Sequence, residues 1–240
     1  MMKDVIFYLF PYLTNQFRRD DWVIKQLRKI PEGESIIDVG AGEMRYRKYC
    51  LHLNYKSQDF NKYTGKGDSV GLQTGKWDTS KIDIVSDIVE IPVKNSSFDN
   101  VLCTEVLEHV PHPELAIKEI ARILKKRGKL ILTAPFASQT HFSPYFYSTG
   151  FSRNWYKQIL VENGLVIKKM QANGNFFDYI NQELLRLPIM VKKYGFLGFF
   201  GFLLYLPIIP LVLMFWMASV LSDGSEYQLS FGYHILAVKK

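Results

Sequence analysis

The sequence predicts an α/β fold built around a mostly parallel sheet. Between residues 34 and 132, short apolar runs alternate with stretches of helical spacing, which is typical of parallel strands joined by helices. A glycine turn at Gly40 and Gly42 directly follows the first apolar run. In α/β sheets such turns lie at the carboxyl edge, where ligands bind. The pattern therefore predicts the fold and also which edge of the sheet carries a ligand-binding site.

Seven segments have the apolar pattern of strands, and two have helical spacing. The strands are expected at residues 35–40, 55–59, 82–86, 100–104, 129–134, 165–170 and 233–238. One helix is expected at residues 113–125, where basic residues cluster before Gly128, and the other at residues 152–162, before Asn163 and Gly164. A helical cap is expected over residues 1–30, with an apolar run at 5–10 that could form a lid or an interfacial helix.

Composition narrows the class of protein. A hydrophobic share of 48% excludes wholesale disorder, and two cysteines, Cys50 and Cys103, cannot form a disulfide framework, which indicates a reducing cytosolic compartment. Pro11 interrupts the first apolar run without a small-residue cleavage site after it, which is not typical of a signal peptide. The net charge of +7 predicts an anionic partner. Basic residues precede an apolar stretch, which favours a membrane surface over nucleic acid, although a solvated basic face is the alternative.

The glycine turn departs from the dinucleotide pattern in two places. Arg45 stands where the third glycine would be, and Glu43 follows Gly42. A carboxylate there disfavours a pyrophosphate, as in NAD, but suits a cationic sulfonium ligand that carries an ammonium group. Further along, Asp59 ends the second strand and could accept hydrogen bonds from ribose hydroxyls, although a surface turn is the alternative.

The order of these motifs resembles the class I methyltransferases, in particular the subgroup that includes the ubiquinone and sterol-type enzymes (methyltransferase type 11). The resemblance covers about residues 35–170. The residues that carry it are Ile36–Glu43, Asp87, Ser97–Cys103, Glu105–Val110, Pro113, Arg122–Lys125, Gly128–Leu130 and Thr133–Phe136. It implies a Rossmann-like, seven-stranded sheet whose last strand is antiparallel, and S-adenosylmethionine as cofactor.

Carried over residue by residue, the resemblance implies a binding role for seven positions. Asp38, Gly40 and Gly42 would surround the methionine end of the cofactor, and Asp59 would hold the ribose. The adenine contacts would be made by Asp87 and Ile88, with Glu105 lining the cofactor wall.

The loop that follows the fifth strand is expected to shape the acceptor pocket. It contains His141 and Tyr145, which we expect to act in catalysis, although a structural role for either is the alternative. His109, just after the fourth strand, is expected to be structural. Methyl transfer from a sulfonium requires alignment and desolvation rather than a metal, so no metal site is predicted.

An apolar stretch near the C-terminus is predicted to be a membrane-associating insertion at residues 191–225. No charged residue occurs between Lys193 and Asp223. The flanking strands should share one sheet, and Pro207 and Pro210 are expected to split the stretch into two short arms, residues 196–206 and 211–221. A helical hairpin that enters the membrane from one face fits both observations. A dimer helix or hydrophobic lid is the alternative.

The sequence thus predicts a methyltransferase domain at residues 31–190 and 226–240 that acts at the inner face of the membrane, as a peripheral or monotopic cytoplasmic protein. The acceptor is expected to be a lipid, a lipid-linked sugar or a small molecule. A soluble methyltransferase that dimerises through the apolar arm, and a cofactor-binding scaffold without catalysis, remain alternatives.

Overall fold

The computed structural model describes residues 14–195 and 198–240, and the apolar run expected at residues 5–10 lies outside them. Contacts divide the chain into two compact units. One comprises residues 19–171 and 232–240, and the other comprises residues 1–18 and 172–231. We call them the sheet unit and the hairpin unit.

The elements follow one another in the order expected of an α/β protein. The strands are β1 (Ser35–Val39), β2 (Asn54–Asp59), β3 (Ile84–Val85), β4 (Phe98–Thr104), β5 (Leu124–Pro135), β6 (Leu165–Asn173) and β7 (Gly232–Lys239). The helices are α1 (Asn15–Leu27), α2 (Pro113–Ile123), α3 (Arg153–Glu162), α4 (Phe176–Tyr194) and α5 (Tyr205–Leu221). Short 3-10 helices lie at Arg47–Tyr49, Leu107–His109, Gly198–Leu204 and Ser225–Tyr227.

The sheet has seven strands in the order β3-β2-β1-β4-β5-β7-β6. β1 pairs in parallel with β2 and β4, β4 pairs in parallel with β5, and β7 runs antiparallel to β5. This confirms the predicted Rossmann-like sheet with an antiparallel last strand. The strand order reverses at β1 and β4, so the carboxyl ends of these two central strands are where a ligand site is expected.

The central strands are buried on both faces, as their nearly continuous apolar runs require. Trp22 and Leu27 of α1 pack with Ile36 of β1, Leu102 of β4 and Ile131 of β5 in one apolar core cluster. The packing of α1 against three strands places this helix beside the carboxyl edge of the sheet, where Arg19 reaches the site.

The expected end of α2 was wrong. The helix ends at Ile123, and the basic residues predicted as its last turn lie on β5. Leu124 pairs with Phe98, and the Lys125 ammonium lies 2.8 Å from the Asp99 carboxylate, so the chain becomes extended immediately. Gly128 marks a close approach of the strands, because a methyl group there would lie 2.9 Å from the Asp99 carbonyl oxygen.

The hairpin unit is built from α4, the 3-10 turn Gly198–Leu204 and α5. It begins with a capping box in which the Asn175 side chain accepts from the Asp178 backbone N–H and the Asp178 carboxylate accepts from the Asn175 N–H. The C-terminal part of this unit, residues 172–231, is longer than the insertion predicted at residues 191–225.

The prediction that two prolines divide the apolar stretch was wrong, since α5 runs through both. Pro207 lies in the first turn, where a backbone N–H has no helical partner to lose, and Pro210 costs the helix a single hydrogen bond. The hairpin instead turns before α5, at the Gly198–Leu204 segment. Among residues 14–195 and 198–240, no helix combines the length and the apolar character needed to cross a membrane.

Candidate cofactor and acceptor site

A cavity of about 210 Å³ lies in the sheet unit at the carboxyl ends of β1, β2 and β4. Six of the nine residues assigned a site role from the sequence line it together: Gly40, Asp59, Asp87, Ile88, Glu105 and Tyr145. The other three, Asp38, Gly42 and His141, are not among its lining residues. The structure therefore brings most of the predicted site to one place.

The glycine turn gives the cavity its floor. Gly40 and Gly42 have φ values of +68° and +51°, in the left-handed region that favours glycine. A methyl group at Gly40 would lie 2.5 Å from a side-chain carbon of Val106, so only glycine lets β1 turn this close to the end of β4. The Gly42 N–H donates to the Asp59 carboxylate at 2.9 Å, which fixes the turn against β2.

Asp38 lies beneath this turn and is only 2% exposed. The Tyr55 hydroxyl donates to its carboxylate at 2.9 Å. Burial raises the pKa of Asp38, the Tyr55 hydrogen bond lowers it and the nearby Asp59 raises it, and the net result is a pKa of about 7. Asp38 thus shapes the turn from below and carries a charge whose presence depends on pH near neutrality.

Glu105 is held in place from two sides. Its carboxylate accepts from Arg19 of α1 at 2.9 Å and from the Thr133 hydroxyl at 3.0 Å. Its backbone φ is +53°, which is uncommon for a residue other than glycine and is found at functional sites. Arg19 is a site residue that the sequence analysis missed, since nothing in its local pattern indicates that α1 reaches the cavity.

Aromatic side chains form the opposite wall. Tyr63 stacks on Phe142 with ring centroids 4.7 Å apart, and Trp77 meets both rings edge-on. Phe60 packs edge-on against Tyr145. Tyr63, Trp77 and Phe60 come from the long connection between β2 and β3, which the sequence analysis left unassigned. Its length without helical or strand periodicity was the signal that could have identified it.

A cluster of three ionisable side chains borders this wall. Glu108 Oε1 lies 3.7 Å from His109 Nε2 and 3.8 Å from His141 Nε2. Within the described part of the chain, both Glu108 oxygens are buried without a hydrogen-bond partner, and burial raises the pKa of this carboxyl well above its usual range. Burial, with a further contribution from His141, lowers the pKa of His109 to about 3, so this ring is neutral.

The cluster can act in two ways. The ligand atoms of Glu108, His109 and His141 lie within 4.8 Å of one another, and this nitrogen and oxygen donor set could hold a divalent cation. Without a cation, the same groups could accept and pass on a proton. Glu108 was missed in the sequence analysis, where it appeared only within the Glu105–Val110 motif, because its burial depends on tertiary contacts.

His109 and Tyr145 connect the cluster to the cavity. Both line it, and His109 Nδ1 lies 2.5 Å from the Tyr145 carbonyl oxygen. His141 lies behind His109, with ring centroids 4.6 Å apart, and its Nδ1 is 2.8 Å from the Gln139 carbonyl oxygen. Of the two residues expected to act in catalysis, Tyr145 is therefore at the cavity and His141 is one ring removed.

Known proteins show the same pattern in sequence and fold. Residues 37–132 match the family described as methyltransferase domain. An N-methyltransferase 4 from Papaver somniferum is 24% identical over 58% of this chain and 39% of its own length. A ubiquinone biosynthesis O-methyltransferase from Coxiella burnetii is 28% identical over 48% of this chain and 35% of its own length. This chain thus spans less than half the length of these relatives.

The fold comparison extends further along the chain. The crystal structure of a proposed methyltransferase from Bacillus halodurans aligns over 90% of this chain and 96% of its own, with a TM-score of 0.52 and 13% identity. The family match covers β1 through most of β5, which includes the glycine turn, Asp59, Asp87 and Glu105. The match over residues 37–132 and the seven-stranded sheet support a class I methyltransferase domain, a class that uses S-adenosylmethionine.

Proposed function

We propose that this enzyme transfers a methyl group from S-adenosylmethionine to a lipid, lipid-linked sugar or small-molecule acceptor at a membrane surface. One observation supports the choice of cofactor: a single cavity is lined by Gly40, Asp59, Asp87 and Glu105. In this proposal Asp59 accepts from the ribose, and Asp87 with Ile88 contacts the adenine. The methionine end lies at the glycine turn above Asp38 and Gly42.

The acceptor enters between the cofactor and the aromatic wall. Its oxygen or nitrogen attacks the methyl carbon, the bond from that carbon to sulfur breaks, and S-adenosylhomocysteine leaves with the electron pair on sulfur. The acceptor proton passes to the neutral imidazole of His109, the cluster residue that lines the cavity, while Tyr145 orients the acceptor from the cavity wall. A divalent cation in this cluster would instead lower the pKa of the acceptor hydroxyl.

Membrane association rests on the surface of α5. Leu206 is 72% exposed and Leu221 is 83% exposed, and further large apolar side chains are exposed between them. Exposed apolar area of this kind on one helix marks an interaction surface. Lys192 and Lys193 at the end of α4 are exposed as well, and basic groups beside an apolar surface favour an anionic bilayer.

Vesicle binding tests this part of the proposal. The full chain should sediment with vesicles of phosphatidylcholine and phosphatidylserine, and should bind less to phosphatidylcholine alone. The double variant Leu206→Asp, Leu221→Asp should lose binding. Leu51→Asp is the matched control, because Leu51 is 86% exposed on the sheet unit and should leave binding unchanged. A concentration-dependent dimer that ignores vesicles, and that the double variant dissociates, would favour the dimerisation arm instead.

A cofactor assay tests the enzymatic part. Calorimetry should detect binding of S-adenosylmethionine and S-adenosylhomocysteine and no binding of NAD, because Glu43 follows the turn where a pyrophosphate would lie. Mass spectrometry of small molecules and lipids that co-purify with the protein identifies the acceptor. Binding of the cofactor with no methylated product from any co-purified acceptor would support the scaffold without catalysis.

A further inference from the structure

The connection between β2 and β3, residues 60–83, covers the cavity although it has no strand or helix of its own. We call it the β2–β3 segment. Loops of this length without secondary structure are uncommon in compact domains and usually functional. Within it, the Gly75 N–H donates to the Gly65 carbonyl oxygen at 2.9 Å and the Trp77 N–H donates to the Thr64 carbonyl oxygen at 3.0 Å. The segment therefore folds back on itself as an open hairpin.

The tip of this hairpin is bound to the loop after β5. The Leu72 N–H donates to the Thr140 carbonyl oxygen at 2.9 Å, and the Phe142 N–H donates to the Leu72 carbonyl oxygen at 3.0 Å. The Ser143 hydroxyl donates to the Asp68 carboxylate at 2.8 Å. The Ser143–Asp68 hydrogen bond is exposed and can exchange for water at small net cost, whereas the ring contacts of Tyr63 and Trp77 with Phe142 must separate when the segment moves.

The base of the hairpin lies on the glycine turn. A methyl group at Gly42 would be 2.9 Å from the Trp77 indole, and the Asp78 N–H donates to Glu43 at 3.3 Å. The indole therefore stands at the point where the methionine end of the cofactor has to lie. The cavity beneath it, about 210 Å³, is smaller than the roughly 300–1,000 Å³ typical of ligand sites.

We propose that the β2–β3 segment is a gate that must release the loop after β5 before the cofactor can enter, with Trp77 as its inner face. The cavity is also lined by the glycine turn, by residues after β3 and β4, and by the loop after β5, so the segment can move aside only when its hydrogen bonds to that loop break. Asn61, with φ of +57°, lies at the start of the segment and is placed to act as its hinge. This inference rests on the cofactor assigned above but not on the identity of the acceptor.

Locking the gate gives the direct test. Asp68→Cys with Ser143→Cys replaces the hydrogen-bonded pair at the tip with two thiols, and the native cysteines are buried. In the oxidised double variant, the association rate of S-adenosylhomocysteine should fall by at least about tenfold, since the ligand enters only while the gate is open. A reductant should restore it. The two single variants are the controls.

Loosening the gate gives the opposite result and does not depend on forming the cross-link. Ser143→Ala removes one hydrogen bond at the tip and should raise the association rate by about fivefold, the value of one net hydrogen bond. Unchanged association in Ser143→Ala, or in a cross-linked protein verified by mass, would overturn the gate. Absence of S-adenosylhomocysteine binding in wild type would instead contradict the cofactor assignment.

Discussion

Replacing Asp38 with asparagine should stabilise the protein above neutral pH. The carboxyl is buried beneath the glycine turn, and its pKa is raised from 3.8 to about 7. At pH 8 the folded protein therefore holds a buried charge that the unfolded chain exposes to water. A shift of roughly three pKa units corresponds to about 4 kcal/mol, which is an upper bound on the gain. The asparagine amide would keep an oxygen that accepts from the Tyr55 hydroxyl.

The sign of the effect depends on pH. Below about pH 4, Asp38 is protonated in both states, so wild type and Asp38→Asn should have similar stability. Between about pH 4 and 7 the unfolded chain releases the proton while the folded protein retains it, and wild type loses stability as the pH rises. The advantage of the asparagine variant should therefore grow over this interval and stay constant above about pH 7.

Urea unfolding followed by circular dichroism from pH 4 to 8 measures this difference. Asp99→Asn is a control of opposite sign. Burial opposes ionisation of Asp99, but hydrogen bonds from Lys125 and Ser35 overcome it and lower its pKa to about 2. Its charge stabilises the fold above about pH 4 and that contribution is lost as pH falls through about 2. Parallel stability curves for wild type and Asp38→Asn from pH 4 to 8 would refute the reasoning.

Three further predictions concern the turn and the acceptor side. Gly40→Ala should destabilise the protein by about 1–3 kcal/mol in urea unfolding and weaken cofactor binding, and Val106→Ala should restore part of both, because the added methyl group meets the Val106 side chain. His141→Ala and Tyr145→Phe should lower turnover more than the affinity for S-adenosylhomocysteine; equal losses in both would place them at the cofactor. If Glu108, His109 and His141 hold a cation, dialysis against a chelator should lower turnover, and adding Mg²⁺ or Zn²⁺ should restore it. Unchanged turnover after dialysis would assign the cluster to proton transfer.

The sequence predicted the sheet and its ligand edge well because both depend on local pattern. Buried parallel strands read as apolar runs, and the glycine turn after β1 needs positive φ values that few other residues accept. Asp59, Asp87 and Glu105 follow strands that share one edge, so their convergence on one cavity follows from the topology. The family resemblance assigned their roles, and the topology explains why they lie together.

Features that depend on tertiary contacts were missed. The helix signal of residues 113–125 was real, but pairing of Leu124 with Phe98 ended the helix early. Proline was expected to break α5, yet Pro207 lies in the first turn, where its missing N–H has no effect. The β2–β3 segment has no periodicity, because its structure comes from hydrogen bonds to a loop more than 60 residues away.

Electrostatics separates the site from the rest of the sheet unit. At the site, burial raises the pKa values of Asp38, Asp59 and Glu108, so ionising any of them costs free energy in the unliganded protein. Away from it, hydrogen bonds and basic neighbours lower the pKa of Asp99, as for a structural carboxylate. A cation bound beside Asp38, Asp59 or Glu108 would offset the free-energy cost of ionising the buried carboxyl, since an opposite charge favours the ionised form. S-adenosylmethionine carries a sulfonium and an ammonium group, so the proposed site gains electrostatic stabilisation from this cofactor that an anionic dinucleotide cannot provide.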